Sequence, residues 1–278
     1  MRQKIFIVIG YSAFFIFAFL FSLYLTFNTS QVKTWLESKA NEEGIKLTIS
    51  SLDKYWLSGV SARDITLQTK SGKLIKIDRL KARVAIIPLL FGKRKIGFQV
   101  ALYGGKLDGK IEQAKRGYKA EFKIQNVNLA SMQAGNQGGF WIASKLSCNG
   151  NLNLFPKDNP KNWSGKIDAV LGPGAIPSFT YQGFQIPEIK LENAKLALEL
   201  KNGSARINSF ELSSPDFPIK GTGQMEIRMP IINSLIQLEA QLNPSRQFLD
   251  QIKMLEAMLP SDKKISYRGT LAGMIFGR

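Results

Sequence analysis

From Ile45 onward, apolar and polar residues alternate with a period of two. Ile45-Leu47-Ile49 alternates with Lys46-Thr48-Ser50, and Leu80-Ala82-Val84-Ile86 begins in the same way against Lys81 and Arg83. Tyr118-Ala120-Phe122-Ile124 alternates strictly with Lys119-Glu121-Lys123-Gln125. The rhythm returns in Leu196-Leu198-Leu200, Met225-Ile227-Met229 and Ile236-Leu238-Ala240-Leu242. This is the pattern of half-buried strands with one apolar and one wet face. Turn signals at Ser71-Gly72, Gly104-Gly105, Asn149-Gly150, Asn202-Gly203 and Pro215-Asp216 divide the runs. The spacing predicts an antiparallel meander of roughly 13 to 15 strands, a sheet roughly 60–70 Å long.

Two stretches follow a helical period instead. Ser30 is placed to cap a helix running to about Glu43, with Gly44 ending it. Arg246 to Leu259, between Pro244 and Pro260, sets Phe248, Leu249, Ile252, Leu255 and Leu259 at helical spacing. The chain then reads as strand again from Ile265 to Phe276. Loops are expected at Ala134 to Gly139 and at Pro156 to Asn162, the latter a candidate sub-boundary. Glycines beside alternating runs recur at Gly105-Gly109, Gly150, Gly221-Gly223 and Gly269-Gly273. In strands they mark bulges, bends or hairpins, so they suit either a long curved sheet or a sandwich.

Before the first helix, Ile5 to Phe27 runs without a charge. At about 1.5 Å per residue it reaches roughly 34 Å, enough to cross a hydrocarbon core of about 30 Å. The segment is expected to be an uncleaved anchor rather than a signal peptide, because its apolar core is long and no A-x-A-like site follows. Residues 1–4 then form a cytoplasmic leader, 5–27 the span, and 28–278 one domain beyond the membrane. A short leader favours N-in orientation.

Composition narrows the chemistry. The chain has 278 residues, a net charge of +17, no histidine and one cysteine, Cys148. Histidine-dependent triads, HExxH zinc sites, internal disulfides and CxxC motifs are thereby excluded. Ser-x-x-Lys occurs at Ser30/Lys33, Ser51/Lys54 and Ser261/Lys264, without the companion motifs of serine acyl-transfer enzymes. No phosphate-cradling glycine motif is present. A carboxylate pair for glycoside hydrolysis is unmarked, which leaves a periplasmic hydrolase as a third-ranked reading. No enzymatic activity, catalytic residue, cofactor or metal is expected.

The order of motifs resembles AsmA-like proteins, and more closely the type II secretion system protein N family. It begins with the uncharged segment, a short helix and "ISSLDKYWLSGVSARDITL". A strand then leads to Pro88-Leu89-Leu90-Phe91-Gly92-Lys93, and the next to Gly104-Gly105-Lys106-Leu107-Asp108-Gly109. "NAKLALELKNGSARINSFELSSPDFPIKGTGQMEI" is similar to the AsmA-type module. The resemblance implies a bacterial inner-membrane protein with a periplasmic, taco-shaped β-sheet whose concave face is apolar. It further implies a scaffold role in type II secretion, with secretion subunits or a second copy as partners through sheet edges. The alternative it suggests is a lipid carrier between membranes.

Specific residues follow from these expectations. Phe122, Ile124, Leu196, Leu198, Leu200, Phe210, Leu212 and Ile227 are candidates to line an acyl-chain groove, or else a closed core. Lys93, Arg94 and Lys95 follow an apolar run and are candidates to touch anionic headgroups, or else form a solvated turn. A basic chain also suits nucleic acid in general, but an anchor and export argue against that partner.

Overall fold

A computed structural model describes residues 28–56, 58–68, 74–114, 116–133, 142–156, 159–181, 184–252 and 260–271. The expected span 5–27 lies outside them. Among the described residues, no helix is long and apolar enough to cross a membrane.

The first element is helix α1 (Thr29–Glu42). Its cap is Asn28 rather than Ser30: the Asn28 side chain, on extended backbone, accepts from Ser30 N at 3.0 Å and Gln31 N at 3.3 Å. Ser30 therefore lies inside the first turn, and Asn outcompetes it from two residues upstream. Gly44, at φ 76°, allows the reversal that feeds strand β1.

Eight strands follow as a meander: β1 (Lys46–Tyr55), β2 (Gly59–Gln68), β3 (Leu74–Val84), β4 (Arg94–Leu102), β5 (Gly105–Ala114), β6 (Gly117–Asn128), β7 (Lys145–Leu154) and β8 (Ser164–Leu171). Short helices α2 (Ile86–Leu90) and α3 (Leu129–Gln133) interrupt it. Four three-residue strands come next: β9 (Gly174–Ile176), β10 (Phe179–Tyr181), β11 (Phe184–Ile186) and β12 (Ile189–Leu191). The main sheet resumes with β13 (Asn193–Lys201), β14 (Ser204–Ser213), β15 (Ile219–Glu226) and β16 (Leu235–Leu242). Helix α4 (Arg246–Gln251) and strand β17 (Lys264–Thr270) complete the described chain.

The result is mainly β, with few helices. Thirteen strands form one antiparallel sheet in the order β1 to β8, then β13 to β17. At about 4.8 Å per step the sheet runs roughly 58 Å across its strands. The short strands form two separate hairpin-like pairs, β10 with β11 and β9 with β12, inserted between neighbours β8 and β13.

Several local expectations are corrected. Asn149-Gly150 is not a turn but lies inside β7, where Gly150 faces Phe122. Ile86 does not extend β3, because the chain turns into α2 after Val84. The late helix is described as Arg246–Gln251, and residues 253–259 lie outside the described part. The last strand ends at Thr270 rather than Phe276; residues 272–276 are likewise outside it.

Three small apolar clusters sit at the margins of the sheet. Val32 and Leu36 of α1 pack on Ile49, Leu52, Ala62 and Ile65. Ile176, Ile189 and Leu191 of the insertion meet Phe248 and Ile252 at the α4 end. Trp163 packs with Leu200 and Ala205, flanked by Leu152, Leu154 and Met225. Helix α1 also covers the outer edge of β1: the Glu37 Oε1 accepts from Ile49 N at 2.9 Å, and Lys33 Nζ donates to Ser50 O at 3.4 Å. That occupies backbone groups that would otherwise be a template for another strand.

Candidate functional site: an apolar sheet face

Directly paired residues of neighbouring strands point to the same face. The registers therefore assemble rows that run across the sheet. The first row passes through Leu80, Val100, Leu107, Ile124, Cys148, Ala169, Leu196, Phe210, Gly221 and Ala240. The second passes through Ala82, Phe98, Gly109, Phe122, Gly150, Ile167, Leu198, Ile207, Gly223 and Leu238. The third runs from Val84 and Ile96 through Ile111, Ala120, Leu152, Gly165, Leu200, Ala205 and Met225 to Ile236. No charged side chain interrupts the three rows.

Phenylalanine and glycine alternate in part of the second row, where each ring fills the space that a side chain on the paired glycine would need. A Cβ on Gly109 would overlap the Phe98 ring, and one on Gly150 would overlap the Phe122 ring. The rings lie over the glycine backbone and cover what a side chain would otherwise cover.

Of the eight residues expected to line an apolar surface, seven lie on this face by register, and Ile227 follows the end of β15. They divide by environment. Leu200 is buried with Trp163, while Leu198 and Ile227 flank that cluster. Leu212 packs toward the insertion. Phe122, Ile124, Leu196 and Phe210 are half-buried in the span between clusters. In the third row Ile96 and Ile111 are exposed, and Phe98 in the second row is half-buried like Phe122.

The opposite face is charged. Lys110 faces Glu121, Asp108 faces Lys123, Lys166 faces Glu199, and Glu211 faces Lys220 at 3.5 Å. Opposite charges across strands stabilise the pairing modestly in water. Clefts open on this side. One of about 590 Å³ spans Lys81, Asp108, Glu121, Lys123, Lys166 and Asp168, and another of about 690 Å³ spans Glu211, Lys220, Glu239 and Lys264. Twist hollows both faces of a long sheet along different diagonals, so shallow charged clefts accompany an apolar face. Among the described residues, no group of carboxylate, thiol or imidazole side chains is gathered to hold a metal.

Lys93, Arg94 and Lys95 stand together after α2 but face different ways. Arg94 Nη1 donates to Gln113 Oε1 at 3.5 Å, and Lys95 Nζ lies 4.0 Å from Glu112 on the charged face. The cluster is exposed except for half-buried Lys95.

Cys148 belongs to the first apolar row and is buried. Burial first, and the Asp168 carboxylate second, push its thiol above the ordinary value. The thiolate is the reactive form, so alkylation of the folded protein is expected to be slow near neutral pH and to rise with pH beyond the ordinary thiol range. Iodoacetamide labelling followed by mass spectrometry checks this. In denaturant the same thiol should react at least tenfold faster at pH 8.

Sequence reasoning missed Trp163 and the α1 cover on β1. Trp163 stands alone between Asn162 and Ser164, with no periodic partner to mark it. In comparisons with known proteins, the chain matches no family model, no curated protein and no solved structure.

Proposed function

We propose that this chain shields the acyl chains of membrane lipids on its apolar sheet face, as a non-enzymatic envelope protein held at a bacterial inner membrane by residues 5–27. The observation that carries the reading is the uninterrupted run of three apolar rows, in which Ile96 and Ile111 are exposed and Phe98, Phe122 and Ile124 half-buried. A sheet normally buries such a face against another layer. A peptide occupant would bring backbone polar groups that these rows cannot satisfy, whereas an acyl chain brings none.

The sheet is proposed to curl with this face inward, as in the taco-shaped fold that the sequence resembles. The burial of Val100 and Cys148, only 8% and 7% exposed, supports the curl. Curling lets side chains on adjacent strands shield one another.

Residues 28–278, made without the preceding segment, extracted with organic solvent and analysed by lipid mass spectrometry, test the reading. Near-stoichiometric phospholipid or glycolipid, absent from a matched control protein, is the expected result. A folded, lipid-free protein refutes it.

A second reading is a scaffold in type II secretion. The outer edge of β17 supports it: Ser266 and Arg268 lie on a strand that, among the described elements, pairs only with β16. Such an edge suits strand addition by a secretion subunit or a second copy. Cross-linking from Ser266→Cys to a secretion protein in intact cells is the expected signature, and its absence counts against this reading.

A further inference from the structure

The two long rims of the sheet differ in chemistry. On the first rim, β1, β3, β5, β7, β13 and β15 end and their successors begin. The connections there expose Trp56, Leu89, Phe91, Phe155, Met229 and Ile231, with Trp56 72% and Phe91 79% exposed. These residues occupy four turns, from β1–β2 to β15–β16, so they form a line rather than a patch. On the second rim, the insertion and α4 pack together instead.

Charge divides in the same way. Between strands, the described residues of the first rim include Lys93, Arg116, Lys161 and Arg228 and no carboxylate. Those of the second rim carry Glu43, Glu188, Glu192, Asp216, Asp250 and Asp262 against Lys190, Arg246 and Lys263. From Arg79 to Leu107 the chain contains seven lysines and arginines and no acid. Trp56 and Phe91 share one corner of this basic region, because Ser58 Oγ donates to Val84 O at 2.7 Å and ties the β1–β2 turn to the strand before α2.

Helix α1 gives the rim a direction. Lys33 reaches Ser50 while Glu37 reaches Ile49, so α1 runs against β1 and Asn28 lies toward the Tyr55 end. The uncharged segment 5–27 therefore joins the domain on the side of the first rim.

We infer that the first rim docks on an anionic phospholipid bilayer surface. Exposed Trp, Phe, Leu and Met with flanking Lys and Arg match the boundary between acyl chains and headgroups. Apolar turns recurring along one rim offer several points of contact to a membrane surface, and each cation brought near an anionic surface strengthens partition about fivefold. This inference goes beyond the acyl-chain reading and does not rest on it.

The test uses the full chain reconstituted in vesicles of phosphatidylcholine and phosphatidylglycerol carrying brominated acyl chains. An environment-sensitive fluorophore is placed on Trp56→Cys or Phe91→Cys, with Met132→Cys on the second rim as comparison. The unsubstituted chain, treated identically, gives the background from Cys148. Quenching at 56 and 91 at least threefold greater than at 132 is expected. It should fall by more than half when phosphatidylcholine replaces phosphatidylglycerol, or when Lys93→Glu and Arg94→Glu are combined. Equal quenching on both rims overturns the inference, as does quenching at 56 and 91 that ignores both charge changes. Lipid retained on the sheet face alone would not produce the difference between rims, so the two readings fail separately.

Discussion

Ile124→Lys should lower the lipid recovered with residues 28–278 at least tenfold while leaving a folded protein. Ile124 is half-buried in the first apolar row, between Leu107 and Cys148. On an uncovered face, the lysine stem lies along apolar neighbours and its ammonium reaches water, at a cost of about 1–2 kcal/mol. An acyl chain would lose its continuous contact at that row. If the face were instead a closed core, the same ammonium would be desolvated and the protein would not fold cooperatively. Circular dichroism with urea titration, run beside lipid mass spectrometry, separates these outcomes. A folded variant that keeps its lipid would show that this row does not hold acyl chains.

Trp163→Ala should cost about 3–5 kcal/mol, the largest expected loss of stability from a single substitution. Trp163 is 8% exposed and joins Leu152 and Leu154 of β7 to Leu200 of β13, Ala205 of β14 and Met225 of β15. Its Nε1 donates to Pro156 O at 3.0 Å and closes the β7–β8 connection over the sheet. Few residues link so many strands as Trp163, so the remaining contacts cannot refill the space. Trp163→Phe keeps most of the apolar area and gives up the hydrogen bond, so its loss should be smaller, about 1–2 kcal/mol. The urea midpoint of each variant measures the difference. A Trp163→Ala midpoint within error of the parent would show that the cluster does not hold the strands together.

These two residues mark the boundary of what a linear reading reaches. Ile124 is legible because Tyr118 to Gln125 alternates strictly, and a period of two commits Phe122 and Ile124 to one face whatever lies beside them. Trp163 is not legible, because its importance comes from strands separated by up to sixty residues. Phe98, Gly109, Phe122 and Gly150 show the same limit within one sheet. Asn-Gly reads locally as a turn, yet Gly150 lies mid-strand because the Phe122 ring needs its space. The β9 to β12 insertion escaped for another reason: three-residue strands broken by Pro177 and Pro187 give alternation too little length to register.

By itself, the sequence determined a mainly β chain with one apolar and one charged strand face, since alternation is a property of each strand alone. It also placed a helix before the first strand, and alternation put Phe122 with Ile124, and Leu196 with Leu198 and Leu200, on one face of their own strands. The folded arrangement alone sets which strands are neighbours, and therefore that the apolar positions join into rows across the sheet. It likewise decided that α1 covers one edge and that exposed aromatics from distant turns fall on one rim. Register and strand order are set by packing between segments far apart in the chain, which no local period encodes.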